Sequence, residues 1–135
     1  MAVVLDTGIL YAYYDRADSW HEAAIEVLDQ HRGGLVVPAS VIPEVDHFLG
    51  SRLGDRARTV FYEGLTGGHL FIAELSAEGY ARVAALNQQF AAVCLGFADA
   101  AVIATAESLD LKRIATTDRR DFGAVAENLS LEIVP

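Results

Sequence analysis

A chain of 135 residues, 53% hydrophobic and with a mean hydropathy of +0.27, has the size of one compact domain with a real core, and no second domain is expected. Nineteen acidic residues against ten Lys plus Arg give a formal charge of -9, which argues against gripping nucleic acid over the whole surface by counterion release while leaving room for a local basic rim. The single cysteine, Cys94, excludes an internal disulfide and a zinc finger, points to a reducing, cytoplasmic setting, and reads as a small core residue.

Ala2 to Leu5 is an unbroken apolar run, the pattern of a buried strand, with no positive region or signal-length apolar segment beside it, so an intracellular protein is expected. A helix follows from about Gly8 to Tyr14. Ser19 then stands where it can cap a helix running to about His31, with Glu22 completing a capping box and Gly33-Gly34 ending it. Leu35 to Val37 is a short apolar strand closed by Pro38. Ser40 opens a helix through about Leu49 that tolerates Pro43 in its first turn. Another helix fits Asp55 to Leu65, Gly67-Gly68 breaks the pattern, and His69 to Leu75 reads as strand. Ser76 caps a helix to about Phe90, although Gly79 occupies the position of a capping-box acid. The apolar stretch Phe97 to Ala106 is about ten residues, short of the roughly 18 to 20 that span a bilayer, so it predicts a buried helix and no membrane partner. A strand at Arg113 to Thr116, a turn region around Asp118 to Gly123 and a terminal strand at Leu131 to Val134 complete the chain. Unbroken apolar strands separated by helices predict an α/β fold, a three-layer sandwich with a mostly parallel central sheet.

In such sheets ligands bind outside the carboxyl ends of the strands, which is where Asp6 and Asp118 fall. Asp6 closes the first strand in Val4-Leu5-Asp6-Thr7-Gly8, and it could equally be a helix N-cap. Asp99 sits in the first turn of Ala98-Asp99-Ala100-Ala101-Val102-Ile103-Ala104, where a negative charge suits the helix dipole, yet so apolar a helix must turn its one early charge toward something polar. Glu44 and Asp46 both border the apolar face formed by Val41, Ile42, Val45, Phe48 and Leu49, so either could look inward. Thr116-Thr117-Asp118-Arg119-Arg120-Asp121-Phe122 is dense in polar groups directly after an apolar run. A turn whose aspartates bond their own backbone is the simple alternative. Carboxylates that converge take up protons or bind hard cations, and oxygen-only ligation favours magnesium or manganese.

These segments together, in order from the first strand to the last loop, resemble the PIN-domain nucleases, most closely the VapC-type toxins of bacterial toxin-antitoxin pairs. The resemblance implies an acidic quartet of Asp6, Glu44, Asp99 and Asp118, with Asp121 as an auxiliary acid near a second metal position. It implies that Thr7 and Thr116 orient the carboxylates. A magnesium-dependent endoribonuclease is implied, with RNA as substrate, a VapB-type antitoxin as partner, and a homodimer. Arg119 and Arg120 are candidate contacts to flanking phosphates, as Arg52, Arg56 and Arg58 could be if they are not simply solvated helix charges. Tyr11, Tyr13, Tyr14 and Trp20 could stack bases, although their helical spacing suits core or interface better.

Two other classes compete. A magnesium-dependent phosphatase of the aspartyl-phosphate kind would want a second Asp two residues after Asp6, where Gly8 stands. A degenerate binding module without catalysis is the other, and acids at all four positions weigh against it. His21-Glu22 does not continue as a zinc-protease motif because Ile25 stands in place of the second histidine, and His47 reads as an exposed helix histidine.

Overall fold

Short apolar runs and longer amphipathic ones alternate along all of residues 1–135, which a computed structural model describes in full. The order is β1 (Val3–Leu5), α1 (Thr7–Tyr14), α2 (His21–Gln30), β2 (Leu35–Pro38), α3 (Ile42–Arg52), α4 (Asp55–Thr66), β3 (Phe71–Ala73), α5 (Ala77–Gln89), α6 (Gly96–Ser108), β4 (Arg113–Ala115), α7 (Arg119–Leu129) and β5 (Glu132–Val134), with 3-10 turns at Ala39–Val41 and Ala91–Val93. The strands pair in parallel in the order β3-β2-β1-β4-β5. Val4 is aligned with Val36 on one side and Ile114 on the other.

Such a sheet must be covered on both faces, which explains why β1 is apolar at every position and fully buried. Crossovers toward β3 and the return crossover to β4 run in opposite directions along the sheet. With right-handed connections their helices fall on opposite faces, α1 to α4 on one and α5 to α7 on the other. The three-layer α/β expectation is met. The helix α6 lies against β1, β2 and β4, and Ala100 to Ala106 are all buried there. Phe61 and Phe122 are the largest fully buried side chains. No helix is long and apolar enough to cross a membrane.

Local signals account for most element ends and fail at a few. Ser76 accepts the Gly79 amide at 3.2 Å, as a capping residue should. Ser19 does not cap α2. Asp18 takes the Trp20 amide on its side chain and the His21 amide on its carbonyl, so the helix starts two residues later and the expected box with Glu22 is absent. Ser40 does not open α3 but lies in the middle of the 3-10 turn Ala39–Val41, and the helix begins at Ile42. The supposed strand His69 to Leu75 pairs only over Phe71–Ala73. The region expected as a turn from Asp118 to Gly123 is the start of α7, whose apolar face buries Phe122, Val125 and Ala126. Cys94 is exposed, because it adopts the left-handed conformation at the end of the 3-10 turn before α6.

Gly79 is explained by packing. A Cβ there would meet Leu75 Cδ2 at 2.8 Å and Leu75 Cβ at 3.3 Å, so the acid that would complete a capping box enters only if Leu75 shifts. Gly79→Glu is therefore expected to lower the unfolding free energy by about 1 kcal/mol, since overpacking costs about 1 to 3 and outweighs the 0.5 to 1 recovered by removing a helical glycine. Urea denaturation followed by circular dichroism measures it, and a stabilised variant would contradict the packing account.

Candidate active site

The sheet order changes direction between β1 and β4: successive strands run outward from β1 through β2 to β3, and the chain then returns to β4 on the other side. Loops leaving the two neighbouring strands part to opposite faces and leave a crevice at their carboxyl ends. Asp6 and Asp118 follow those two strands. The Asp6 amide donates to the Ala115 carbonyl at 2.9 Å, continuing the ladder one step past the strand and fixing the depth of Asp6 in the crevice.

Asp6 is 6% exposed. It occupies the N-cap position of α1 but makes no side-chain cap bond. Instead Oδ2 accepts a 2.7 Å hydrogen bond from Thr116 Oγ1, and that same hydroxyl oxygen accepts the Asp118 amide at 3.0 Å. One threonine thus links the two acid-bearing loops. Burial pushes the Asp6 carboxyl above the usual carboxylate range, partly offset by the Thr116 hydroxyl and the Thr7 amide, and the charges of Glu44 and Asp118 push it the same way.

Glu44 and Asp46 part company. Glu44, exposed in the first turn of α3, accepts the Thr7 hydroxyl at 3.0 Å on the cleft side. Asp46 faces α4, where Arg58 holds it with Nε at 3.1 Å and Nη2 at 3.0 Å and Tyr62 donates its hydroxyl. Those partners hold the Asp46 carboxyl below its ordinary range. His47 is exposed beside Phe48.

Asp99, in the first turn of α6, is pushed up to about 7, first by burial and then by the charges of Asp6, Asp118, Glu44 and Asp121. All five acids are therefore near one another. Asp118 also behaves as the simpler reading expects, since it caps α7 by accepting the Asp121 amide at 3.2 Å. No three side chains of the His, Cys, Asp and Glu types converge tightly enough to form a closed ligand cage. The acids ring the cleft separately, with Asp6, Glu44 and Asp118 each accepting a hydrogen bond of its own. Their chemistry fits a hard divalent cation: the donors are all oxygen, and a positive ion would relieve the repulsion that raises Asp99.

Basic side chains divide as well. Arg119 and Arg120 are exposed at the start of α7, and Arg120 reaches only to 3.7 Å from Asp121. Arg52 lies over the rings of Phe48 and Tyr11 at 4.5 and 5.1 Å, and Arg58 is tied to Asp46 and Asp55. Arg56 is exposed on α4. Tyr11, Tyr14 and Trp20 pack in or against the core, Tyr14 edge-on to Phe61. A cleft of about 620 Å³ beside Tyr13, Tyr14, Arg32 and His69 lies at the opposite end of the sheet, where β2 begins, and has no carboxylate cluster comparable to the crevice. Two further features lie near the site: the buried hydroxyl of Ser40, which has no partner, and the close approach of Thr117 to Gly8. Nothing in residue type or spacing marks either.

The PIN domain family profile matches residues 3–128. Over 123 residues, 91% of each chain, the sequence is 32% identical to Ribonuclease VapC26 of Mycobacterium tuberculosis. Among solved structures, VapC20 of the same organism, described as a toxin cleaving the sarcin-ricin loop, superposes with a TM-score of 0.82 at 16% identity, covering 91% of this chain and 95% of that one. A toxin-antitoxin complex from Klebsiella pneumoniae gives a TM-score of 0.75 at 20% identity, covering 99% and 97%. At these identities the structural matches bear on fold alone.

Since Asp99 keeps its proton up to about pH 7 when folded, against 3.8 for the unreacted side chain, the folded state binds more protons between those limits and stability falls as pH rises through that window. Asp99→Asn is expected to raise the melting temperature in EDTA at pH 8, with the gain clearly smaller at pH 5 and lost only below the unfolded value of 3.8, where the carboxyl is neutral in both states. Differential scanning fluorimetry at the two pH values measures this, and an equal gain at both would show that repulsion is not the cause.

Proposed function

The chain belongs to the PIN-domain family, in its VapC-type branch, and on that premise we propose that residues 1–135 form one catalytic domain, a divalent-metal-dependent endoribonuclease acting as the toxin of a toxin-antitoxin pair in the cytoplasm. The observation that carries this reading is the convergence of Asp6, Glu44, Asp99, Asp118 and Asp121 on the crevice between β1 and β4, where Thr116 and Thr7 tie Asp6, Asp118 and Glu44 into one set of loops. Relatedness to a protein named a ribonuclease supports RNA as the substrate.

In this reading Asp6, Glu44, Asp99 and Asp118 hold the cation, magnesium by preference with manganese as a substitute, and Asp121 stands at the margin. Divalent ions bound in such a site supply an activated water and a Lewis-acid contact for the leaving oxygen. Thr116 fixes the oxygen of Asp6 that it donates to, and Thr7 does the same for Glu44. Each hydroxyl thereby limits the rotation of a carboxylate that repulsion would otherwise turn outward. Arg119 and Arg120 occupy the first turn of α7, where the helix dipole disfavours cations, and their placement is explained by contacts to phosphates flanking the cleaved bond.

An antitoxin partner belongs to the same proposal, supported by the likeness to a protein solved in a toxin-antitoxin complex, and a homodimer is proposed with it. Tyr11, Tyr13, Tyr14 and Trp20, whose spacing suits core or interface, pack in or against the core and leave little free surface on the early helices. Large apolar side chains left exposed lie mainly elsewhere, among them Val60, Tyr62, Phe71, Tyr80 and Phe97, and these are the better candidates for subunit or antitoxin contacts.

Magnesium-dependent cleavage of single-stranded RNA is expected, with no phosphate released from p-nitrophenyl phosphate. Asp6→Asn and Asp99→Asn should each reduce the rate on the order of 100-fold or more, as loss of metal-site groups does. RNA cleavage that persists in both variants would overturn the assignment. Replacing Arg119 and Arg120 together by Ala should raise KM roughly 10-fold with little change in kcat, an effect that shrinks at high salt.

A further inference from the structure

Gly8 is the second residue of α1, directly after the Asp6-Thr7 pair, and its backbone has ordinary helical geometry. Conformation therefore does not call for glycine here, and a helical glycine weakens a helix by about 0.5 to 1 kcal/mol relative to alanine. Space does call for it. A Cβ on Gly8 would point at Thr117 Oγ1 and lie well under 3.0 Å from it, with Thr117 Cβ and Cγ2 behind at 3.5 and 3.6 Å. The hydrogen that replaces the missing Cβ points at that hydroxyl oxygen, the direction of a weak Cα–H···O contact.

Thr117 lies between the two residues that build the β4 side of the cleft. Thr116 donates to Asp6 and accepts the Asp118 amide, and Asp118 caps α7. Two successive threonines therefore hold the same loop against the same turn, Thr116 through hydrogen bonds and Thr117 by filling the hollow over Gly8. Thr117 is β-branched, so its χ1 is stiff and the hydroxyl is not free to swing aside without cost.

We propose that the Gly8–Thr117 contact is a spacer that sets the separation of Asp6 from Asp118 and so the width of the divalent-ion site, which makes Thr117 a positioning residue. The inference rests on the metal-site reading above. Without the hollow at Gly8 the β4–α7 loop would be pushed away from α1, and the acids on either side would move apart by a side-chain diameter or less, enough to spoil a shared ion.

The test is a double-mutant cycle read by Mn²⁺ titration, following free Mn²⁺ by electron paramagnetic resonance, beside melting temperatures in EDTA. Gly8→Ala should weaken Mn²⁺ binding by about 10-fold or more, the range seen when groups that orient metal ligands are disturbed. Thr117→Ala should weaken it by only about 3-fold, and the double variant should resemble Thr117→Ala, because removing the hydroxyl restores room for the new Cβ. Thr117→Val combined with Gly8→Ala, which keeps a stiff branched side chain over the new Cβ, should stay impaired. A Gly8→Ala protein that melts lower but binds Mn²⁺ like the wild type makes the contact merely structural and overturns the inference, as do strictly additive effects on binding. Wild-type protein that binds no Mn²⁺ overturns the metal-site reading itself and the inference with it, so the two failures are distinguishable.

Discussion

Like charges held close together are the constraint around which this molecule is arranged. Five carboxylates share the crevice beyond β1 and β4, and burial, reinforced by the charges of the other four, pushes Asp99 up to about 7. A flexible polypeptide would relax such a cluster by turning the side chains into water. Here the backbone forbids it, because Asp6 is pinned by the sheet ladder and Asp99 by a helix whose every following residue from Ala100 to Ala106 is buried. The strain is thus borne by packing far larger than the site. Thirty-two buried residues form one apolar cluster, and the acids occupy its edge.

Hydroxyl groups manage what repulsion remains. Thr116 and Thr7 each donate to a carboxylate, and at Asp6 the Thr116 hydroxyl favours the charged form against the effect of burial. The outcome differs from acid to acid. Asp6 has Thr116 and the Thr7 amide as counterweights, whereas burial and four neighbouring charges act on Asp99 with no counterweight among the leading causes of its shift. That asymmetry explains why Asp99 is the group that responds most to pH, and why it would gain most from a bound cation.

How far all this could be read from residues alone varies with the kind of evidence each feature leaves. The strands, the parallel sheet and the convergence of Asp6 with Asp118 follow from unbroken apolar runs ending in acids, since adjacent parallel strands bring their carboxyl ends together. Glu44 and Asp46 could not be told apart by helical angle, because two residues flanking an apolar face differ only in what approaches them. Arg58 and Tyr62 on α4 decide the matter, and no local pattern announces that they will. The start of α7 was hidden by its own polarity: Arg119, Arg120 and Asp121 read as a turn until Phe122, Val125 and Ala126 supply the buried face. Cys94 was misread because residue type predicts average burial, while its left-handed backbone puts it at a surface turn. The unpartnered Ser40 hydroxyl and the approach of Thr117 to Gly8 left no trace, being defined by the surroundings rather than by residue type.

A charge of -9 would seem to oppose binding a polyanion, but the sum conceals how the charges are spent. Arg32, Arg58, Arg82 and Arg113 each lie within salt-bridge distance of an Asp or Glu, at 2.8, 3.0, 2.7 and 3.0 Å, so these cations are neutralised within the fold. Arg119 makes no such pair, and Arg120 approaches Asp121 only at 3.7 Å with its side chain 94% exposed. Uncommitted positive charge therefore stands at the mouth of the crevice, on the turn that also carries Asp118. Because screening confines exposed charges to about 8 to 10 Å at physiological salt, a phosphate entering there responds to these two arginines and to whatever cation the acids hold rather than to the distant total. Net charge then governs how weakly nucleic acid sticks to the rest of the surface, and the local arrangement governs where it is admitted.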